Sequence, residues 1–284
     1  MVFKIKEEWE ILIITTLVEN TKISEEYENK HGLSFHIKTD KHSVLFDLGP
    51  KGVLLDNAKK LNIDLKEVDT VIISHGHYDH GGALEEFLEV NSKAKVYIHK
   101  DAFKEYYNIL GGVKKYIGLD RSLEDNPRII LNEGDFKLDD ELYIFSEVKN
   151  YYKSSDFNKT LYKKIDDIYL EDDFIHEQNL IIREKGISVL MGGCAHNDIR
   201  NIIKRAEEIT CSNLDYVISG FHIFNPSTGI SESDVFIEEL GEELKKRDTK
   251  FYTCHCTGMR AFKILSEKLK DQIAYMATGE VLNI

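Results

Sequence analysis

The stretch Ser74-His75-Gly76-His77-Tyr78-Asp79-His80-Gly81-Gly82 constrains this chain more than any other. It follows the apolar run Thr70-Val71-Ile72-Ile73, whose β-branched residues predict a buried strand that stops in a loop. Leu84, Phe87 and Leu88 then share one face at helical spacing, so a helix follows the loop. Residues two apart in an extended segment point the same way, which lets His75 and His77 close on one ion. Asp79 and His80 fall at the mouth of the helix and point elsewhere, as a second nearby ion would require. Imidazole with carboxylate suits zinc, iron or manganese better than calcium or magnesium. A single histidine here would be an ordinary polar turn residue. The whole His-x-His-x-Asp-His pattern after a buried strand predicts a metal site.

Strands are expected at Ile11 to Val18, Leu33 to Ile37, Val44 to Phe46, Thr70 to Ser74 and Lys95 to His99. Helices are expected over Gly52 to Leu61 and Asp101 to Tyr107. From about Gly111 to Phe174 the periodicity weakens, apart from strand-like Arg128 to Leu131 and Leu142 to Phe145, and the stretch is rich in tyrosine and lysine. Long irregular stretches in a compact domain are commonly lids, and a lid or insert is expected across 111–174. A hairpin (Asn179 to Arg183, Ile187 to Met191) opens the second half. Alternating helices (Asn197 to Ile209, Ser231 to Lys246, Gly258 to Leu269) and strands (Tyr216 to Ser219, Lys250 to Cys254, Ile273 to Met276) follow. Ser231-x-x-Asp234 resembles a capping box. The alternation implies helix-covered sheets, and no linker separates the halves, so residues 1–284 read as one domain.

Three further motifs end strands. Asp47, followed by Gly49, stands where it could orient a ligand by hydrogen bond. Gly192-Gly193-Cys194-Ala195-His196-Asn197 links the hairpin to a helix, with Asn197 or Asp198 as its cap. In Cys254-His255-Cys256-Thr257-Gly258, an extended backbone would turn both cysteines away from His255, leaving them to packing. The net charge of −13 and the lack of a basic block disfavour nucleic acid as a partner. Four cysteines are too few for a disulfide framework. Glu7, Glu8 and Glu10 do not form the basic start of a signal peptide, and no apolar run is long enough to span a membrane. A reduced, cytoplasmic protein is expected.

Taken together, these motifs resemble those of the metallo-β-lactamase superfamily. The resemblance implies an α/β four-layer αββα sandwich, with His75, His77 and His196 at one metal position and Asp79, His80 and His255 at the other. It further implies one or two zinc ions, iron and manganese being open. Most members carry a metal-bridging aspartate after a strand between the last two motifs. Here the strand Tyr216 to Ser219 ends in Gly220-Phe221-His222. A carboxylate can bridge two cations through its two oxygens, whereas neutral imidazole offers one lone pair. Three readings of His222 therefore compete, a replacement ligand, a substrate-contacting acid/base and a buried structural histidine, and Asp79 and His222 are the candidate catalytic residues. Phe221-His222, His255-Cys256-Thr257-Gly258 and His31-Gly32-Leu33-Ser34-Phe35 are similar to one group within the superfamily. That group resembles the methanopterin-pathway synthase that joins a dihydropterin to a ribofuranosylaminobenzene phosphate. The implied reaction on a small anionic substrate is hydrolysis by metal-activated water or pterin transfer. A metal-containing binding or regulatory protein without turnover is the alternative.

Overall fold

A computed structural model describes residues 12–284. Ile11 and the acidic residues Glu7, Glu8 and Glu10 lie outside them. Two seven-stranded sheets form the centre of the molecule. In spatial order the first runs Val281–Asn283, Ile13–Val18, Ser34–Lys38, Ser43–Phe46, Thr70–Ile73, Lys95–His99 and Ile129–Asn132. The second runs Ile273–Tyr275, Lys250–Thr253, Tyr216–Ser219, Ile187–Met191, Asn179–Glu184, Leu142–Phe145 and Phe136–Lys137. In both sheets antiparallel strands give way to a parallel series: Ser43–Phe46 through Ile129–Asn132 in one, Ile187–Met191 through Ile273–Tyr275 in the other.

Strand side chains alternate between two cores, as a pleat buried on both faces requires. Val44, Phe46, Ile72, Met191 and Ile218 fill the space between the sheets. Leu45, Val71 and Ile73 turn the other way, toward the helices Leu54–Lys60 and Leu84–Val90. On the far side, Leu190, Val217 and Phe251 pack against the helices Ile199–Thr210, Asp234–Lys245 and Met259–Leu269. The result is four layers, helix–sheet–sheet–helix, with three apolar seams. Among the described residues no helix is long and apolar enough to cross a membrane.

Three local expectations are corrected. Residues 101–107 are not helical: a turn at 101–104 leads into the strand Glu105–Leu110. The helix over 234–245 is capped by Ser233, whose hydroxyl accepts from the Phe236 amide, not by Ser231. The stretch 111–174 is more regular than its periodicity suggests. Val113–Tyr116, Leu161–Ile165 and Ile168–Glu171 join Glu105–Leu110 in a separate four-stranded sheet. Ile129–Asn132 is an edge strand of the first main sheet, and Leu142–Phe145 lies in the second between Asn179–Glu184 and the edge strand Phe136–Lys137.

Candidate metal centre

The parallel strands of both sheets deliver their C-terminal ends to one edge, where ligands bind in open α/β sheets. Asp47, His75, His196, His222 and His255 each stand within five residues after such a strand. The fold thus gathers residues from both halves of the chain at one cavity of about 470 Å³, whose lining includes His77, Asp79, His196, His222 and His255.

His75, His77 and His196 each offer a ring nitrogen within 4.8 Å of the others. His75 Nε2 is 3.0 Å from His77 Nδ1. Gly76, between these two histidines, is pressed against the segment beneath it: a Cβ there would fall on the Ala102 carbonyl oxygen. The Gly76 amide donates to His176 Nδ1 (3.0 Å), and His176 Nε2 donates to Asp172 (3.1 Å). That pair pins the loop from the far side. Burial holds His75 and His196 well below the usual imidazole pKa and His77 at about 3, so all three are neutral and able to coordinate.

The second group is charged. Asp79 Oδ2 lies 3.7 Å from His80 Nε2, 3.4 Å from His255 Nε2 and 3.2 Å from His31 Nε2. Burial alone would raise Asp79, but His80, His255 and His31 hold its carboxyl well below the carboxylate range. Burial would likewise depress His80, yet the Asp47 and Asp79 carboxylates raise it to about 9. Fully buried Asp47 accepts from His80 Nδ1 (2.6 Å), the Ser74 amide (2.7 Å) and the Ser74 hydroxyl (2.7 Å). The Ser74 hydroxyl in turn lies 2.9 Å from His75 Nδ1. Asp47 thereby turns the Nε2 atoms of His75 and His80 inward.

His196 and His255 are held by one arrangement used twice. Asn158 Oδ1 is 3.0 Å from His196 Nδ1 while its amide donates to the His196 carbonyl (2.8 Å). Asn20 makes the same pair with His255, at 2.9 and 3.0 Å. A glutamate completes each clamp: Glu177 accepts the His196 amide and Glu19 the His255 amide, both at 2.6 Å. Each clamp fixes the tautomer and points Nε2 at the centre.

Whether a cation fits can be judged from the donors. His77 Nε2, His196 Nε2 and both ring nitrogens of His222 are buried with no hydrogen-bond partner among the described residues, and His255 Nε2 has only the Asp79 carboxylate, 3.4 Å away, outside good hydrogen-bond geometry. Buried polar groups are normally satisfied, so a convergent set of bare imidazole nitrogens fits a metal ion. The His222 ring lies 4.1 Å from that of His196, tilted by 52°, and lines the cavity. Cys256 does not point away as an extended backbone would require. Positive φ at His255 (49°) starts a turn over His255–Thr257 that places Cys256 in the cavity wall, while Cys254 stays between the sheets. The clamp residues Glu19, Asn20, Asn158 and Glu177, with His31, His176 and Cys194, complete a site whose outer members carried no sequence pattern of their own. His31 and Cys194 are the exceptions, standing in the His31–Phe35 and Gly192–Asn197 motifs.

A two-sheet sandwich with histidine-rich loops at one edge defines a class of metallohydrolase-like folds. The chain belongs to the metallo-beta-lactamase superfamily, whose family model matches residues 29–173. It is 26% identical, over 96% of each chain, to the 7,8-dihydropterin-6-methyl-4-(beta-D-ribofuranosyl)-aminobenzene-5'-phosphate synthase of Methanocaldococcus jannaschii. It is 28% identical to Tm1679, described as a metal-dependent hydrolase of the beta-lactamase superfamily, with a TM-score of 0.80 over 96% of this chain and 99% of that one. Zinc-bound PqqB from Methylobacterium extorquens shares the fold at 10% identity, with a TM-score of 0.55 over 96% of this chain and 100% of that one.

Proposed function

We propose that the protein is a metal-dependent, cytoplasmic enzyme that hydrolyses or transfers a group on a small anionic substrate. The observation that carries this reading is the set of bare, buried imidazole nitrogens on the floor of a cavity with two lysines in its wall. His75, His77 and His196 would hold one ion, and Asp79, His80 and His255 the other, with zinc the default and iron or manganese compatible. When bound, the metal supplies Lewis acidity at the cavity floor. The chain's own residues do the rest. Lys30 and Lys115 carry positive charge beside the cavity and would attract an anionic group. Tyr78, Tyr116, Phe157 and Phe224 line its walls and would cover a planar ring. His222, with both ring nitrogens unpartnered, would give or take the proton at the reacting atom. Residues 111–174 would act as the lid, since Lys115, Tyr116 and Phe157 come from them.

The aromatic walls favour a pterin-like ring within this reading, and the similarity to a pterin-pathway synthase agrees with it. Nucleic acid and membrane are not expected partners, given the net charge of −13. The test is turnover by zinc-reconstituted protein of phosphoester and ester substrates, and of a dihydropterin with a phosphorylated arylamine. Activity should vanish with chelation and in the His75→Ala/His77→Ala double variant. A fully folded, metal-loaded protein inert toward all of them would favour a binding role and overturn the enzymatic reading.

A further inference from the structure

No carboxylate follows the strand Tyr216–Ser219, so something else must lie between the two metal positions if both fill together. His222 cannot supply it as a neutral imidazole, which has one lone pair to give. Cys194 is placed differently. Its Sγ is 3.2 Å from His80 Nε2. It also lies within 4.8 Å of ring nitrogens in three separate sets: with His75 and His80, with His196 and His222, and with His255 and Cys256. The same sulfur therefore neighbours donors of both the His75–His77–His196 group and the Asp79–His80–His255 group.

We propose that Cys194 is the shared ligand of this centre, its thiolate sulfur bridging the two cations where a carboxylate stands in other members. The proposal rests on the metal-dependent reading above. Thiolate is a strong zinc ligand, and one sulfur has lone pairs enough for two ions. Binding exchanges the thiol proton for the metal, and that proton leaves through the open cavity that Cys194 lines.

The setting argues against a purely packing role. A buried free cysteine that packs as a small hydrophobe sits among carbon atoms, as Cys254 does between the sheets. Cys194 sits instead among imidazoles. His196, 2% exposed, leaves Nε2 without a hydrogen-bond partner among the described residues. The backbone holds the sulfur there. Gly193 packs so closely on Ser74 that a Cβ would collide with its hydroxyl, its carbonyl accepts from the Gly220 amide (2.8 Å), and the Cys256 thiol lies 3.4 Å from the Cys194 carbonyl.

X-ray absorption on the wild-type protein loaded with zinc tests this without any variant. A bridging thiolate gives every zinc one sulfur neighbour at about 2.3 Å beside nitrogen and oxygen at about 2.0–2.1 Å. Two bound equivalents sharing half a sulfur each, a single equivalent, or no sulfur at all would overturn the bridge. Zinc bound without sulfur would overturn this proposal alone, whereas a protein that takes up no zinc would overturn the metal-dependent reading as well. Cys194→Ser should lose the sulfur shell and bind its second equivalent at least tenfold more weakly, while the first is retained. Cys256→Ser should keep the shell. Loss of the shell in Cys256→Ser and not in Cys194→Ser would assign the thiolate to the wrong cysteine and refute the inference.

Discussion

The paired clamps on His196 and His255 predict that two asparagines control two metal positions separately. Asn20→Ala removes the acceptor for His255 Nδ1 (2.9 Å) and the donor to its carbonyl (3.0 Å). The His255 amide stays bonded to Glu19, so the backbone should keep its course. Each lost hydrogen bond is worth about 1 kcal/mol net, and a buried ring N–H left bare costs about 1–3 kcal/mol. Part of that cost is escaped by ring rotation, which swings Nε2 off the centre. Outer partners of ligating histidines typically govern affinity by about 10–100-fold, and that is the expected loss for one equivalent. Asn158→Ala should impose a similar loss on the equivalent held by His196. Competition titrations of zinc against a chromophoric chelator resolve the two constants, and imidazole NMR signals identify which histidine shifts in each variant. The double variant should weaken both equivalents by nearly the sum of the single effects, since the clamps share no residue. If both single variants weaken the same equivalent, or the double variant adds nothing to either, the clamps do not act as separate supports and the reasoning fails.

Other expectations are more direct. Gly76→Ala drives a methyl group into the Ala102 carbonyl and the Tyr106 ring, so it should cost about 1–3 kcal/mol in denaturant unfolding and abolish tight metal uptake. Lys115→Ala should raise KM for an anionic substrate several-fold with little change in kcat, and less so at high salt; an unchanged KM would remove Lys115 from substrate binding. Burial lowers His36 to about 4 in the folded state, against about 6.5 unfolded. The unfolded chain therefore takes the proton first: this contribution to stability is intact above pH 6.5 and is lost as pH falls toward 4. His36→Gln should flatten the acid limb of a stability–pH curve in that window, and an unaltered slope would refute the assignment.

The parts of the site legible in the sequence are those that end regular elements. His75, His196, His222 and His255 follow apolar strands whose alternation is visible locally, and the carboxyl ends of parallel strands meet at one edge whatever the loops do. The clamps were not legible. Asn20 and His255 are separated by 235 positions, and an asparagine in a polar loop looks the same whether it holds a ligand or faces water. Cys256 falls on the other side of the chain from the one an extended strand predicts, because alternation holds only while the backbone is extended, and His255 at φ 49° breaks it. At 101–107, Ala102, Phe103 and Tyr106 are buried at helical spacing, and Ala102 and Tyr106 pack against Gly76 of the His-x-His-x-Asp-His loop. The strand that begins at Glu105 pairs with Leu161–Ile165, a partner that no local window contains.

That remote pairing bears on how the centre is held. The small sheet does not hang from the sandwich at one point. Ile117 accepts the Tyr78 amide at 2.7 Å, within the His-x-His-x-Asp-His loop itself. Asp172 reaches the same loop through His176 and Gly76, and Asn158 grips His196 on the opposite sheet. Three supports of the centre thus come from the insert, on loops that also enclose the cavity. Moving the base of the insert would break hydrogen bonds to two candidate ligands' loops at once, each loss leaving a buried polar group bare. The exposed tip around Gly111, Gly112 and Val113 carries no such bond to the centre. The base of the insert therefore both lines the cavity and holds the loops that carry the candidate ligands.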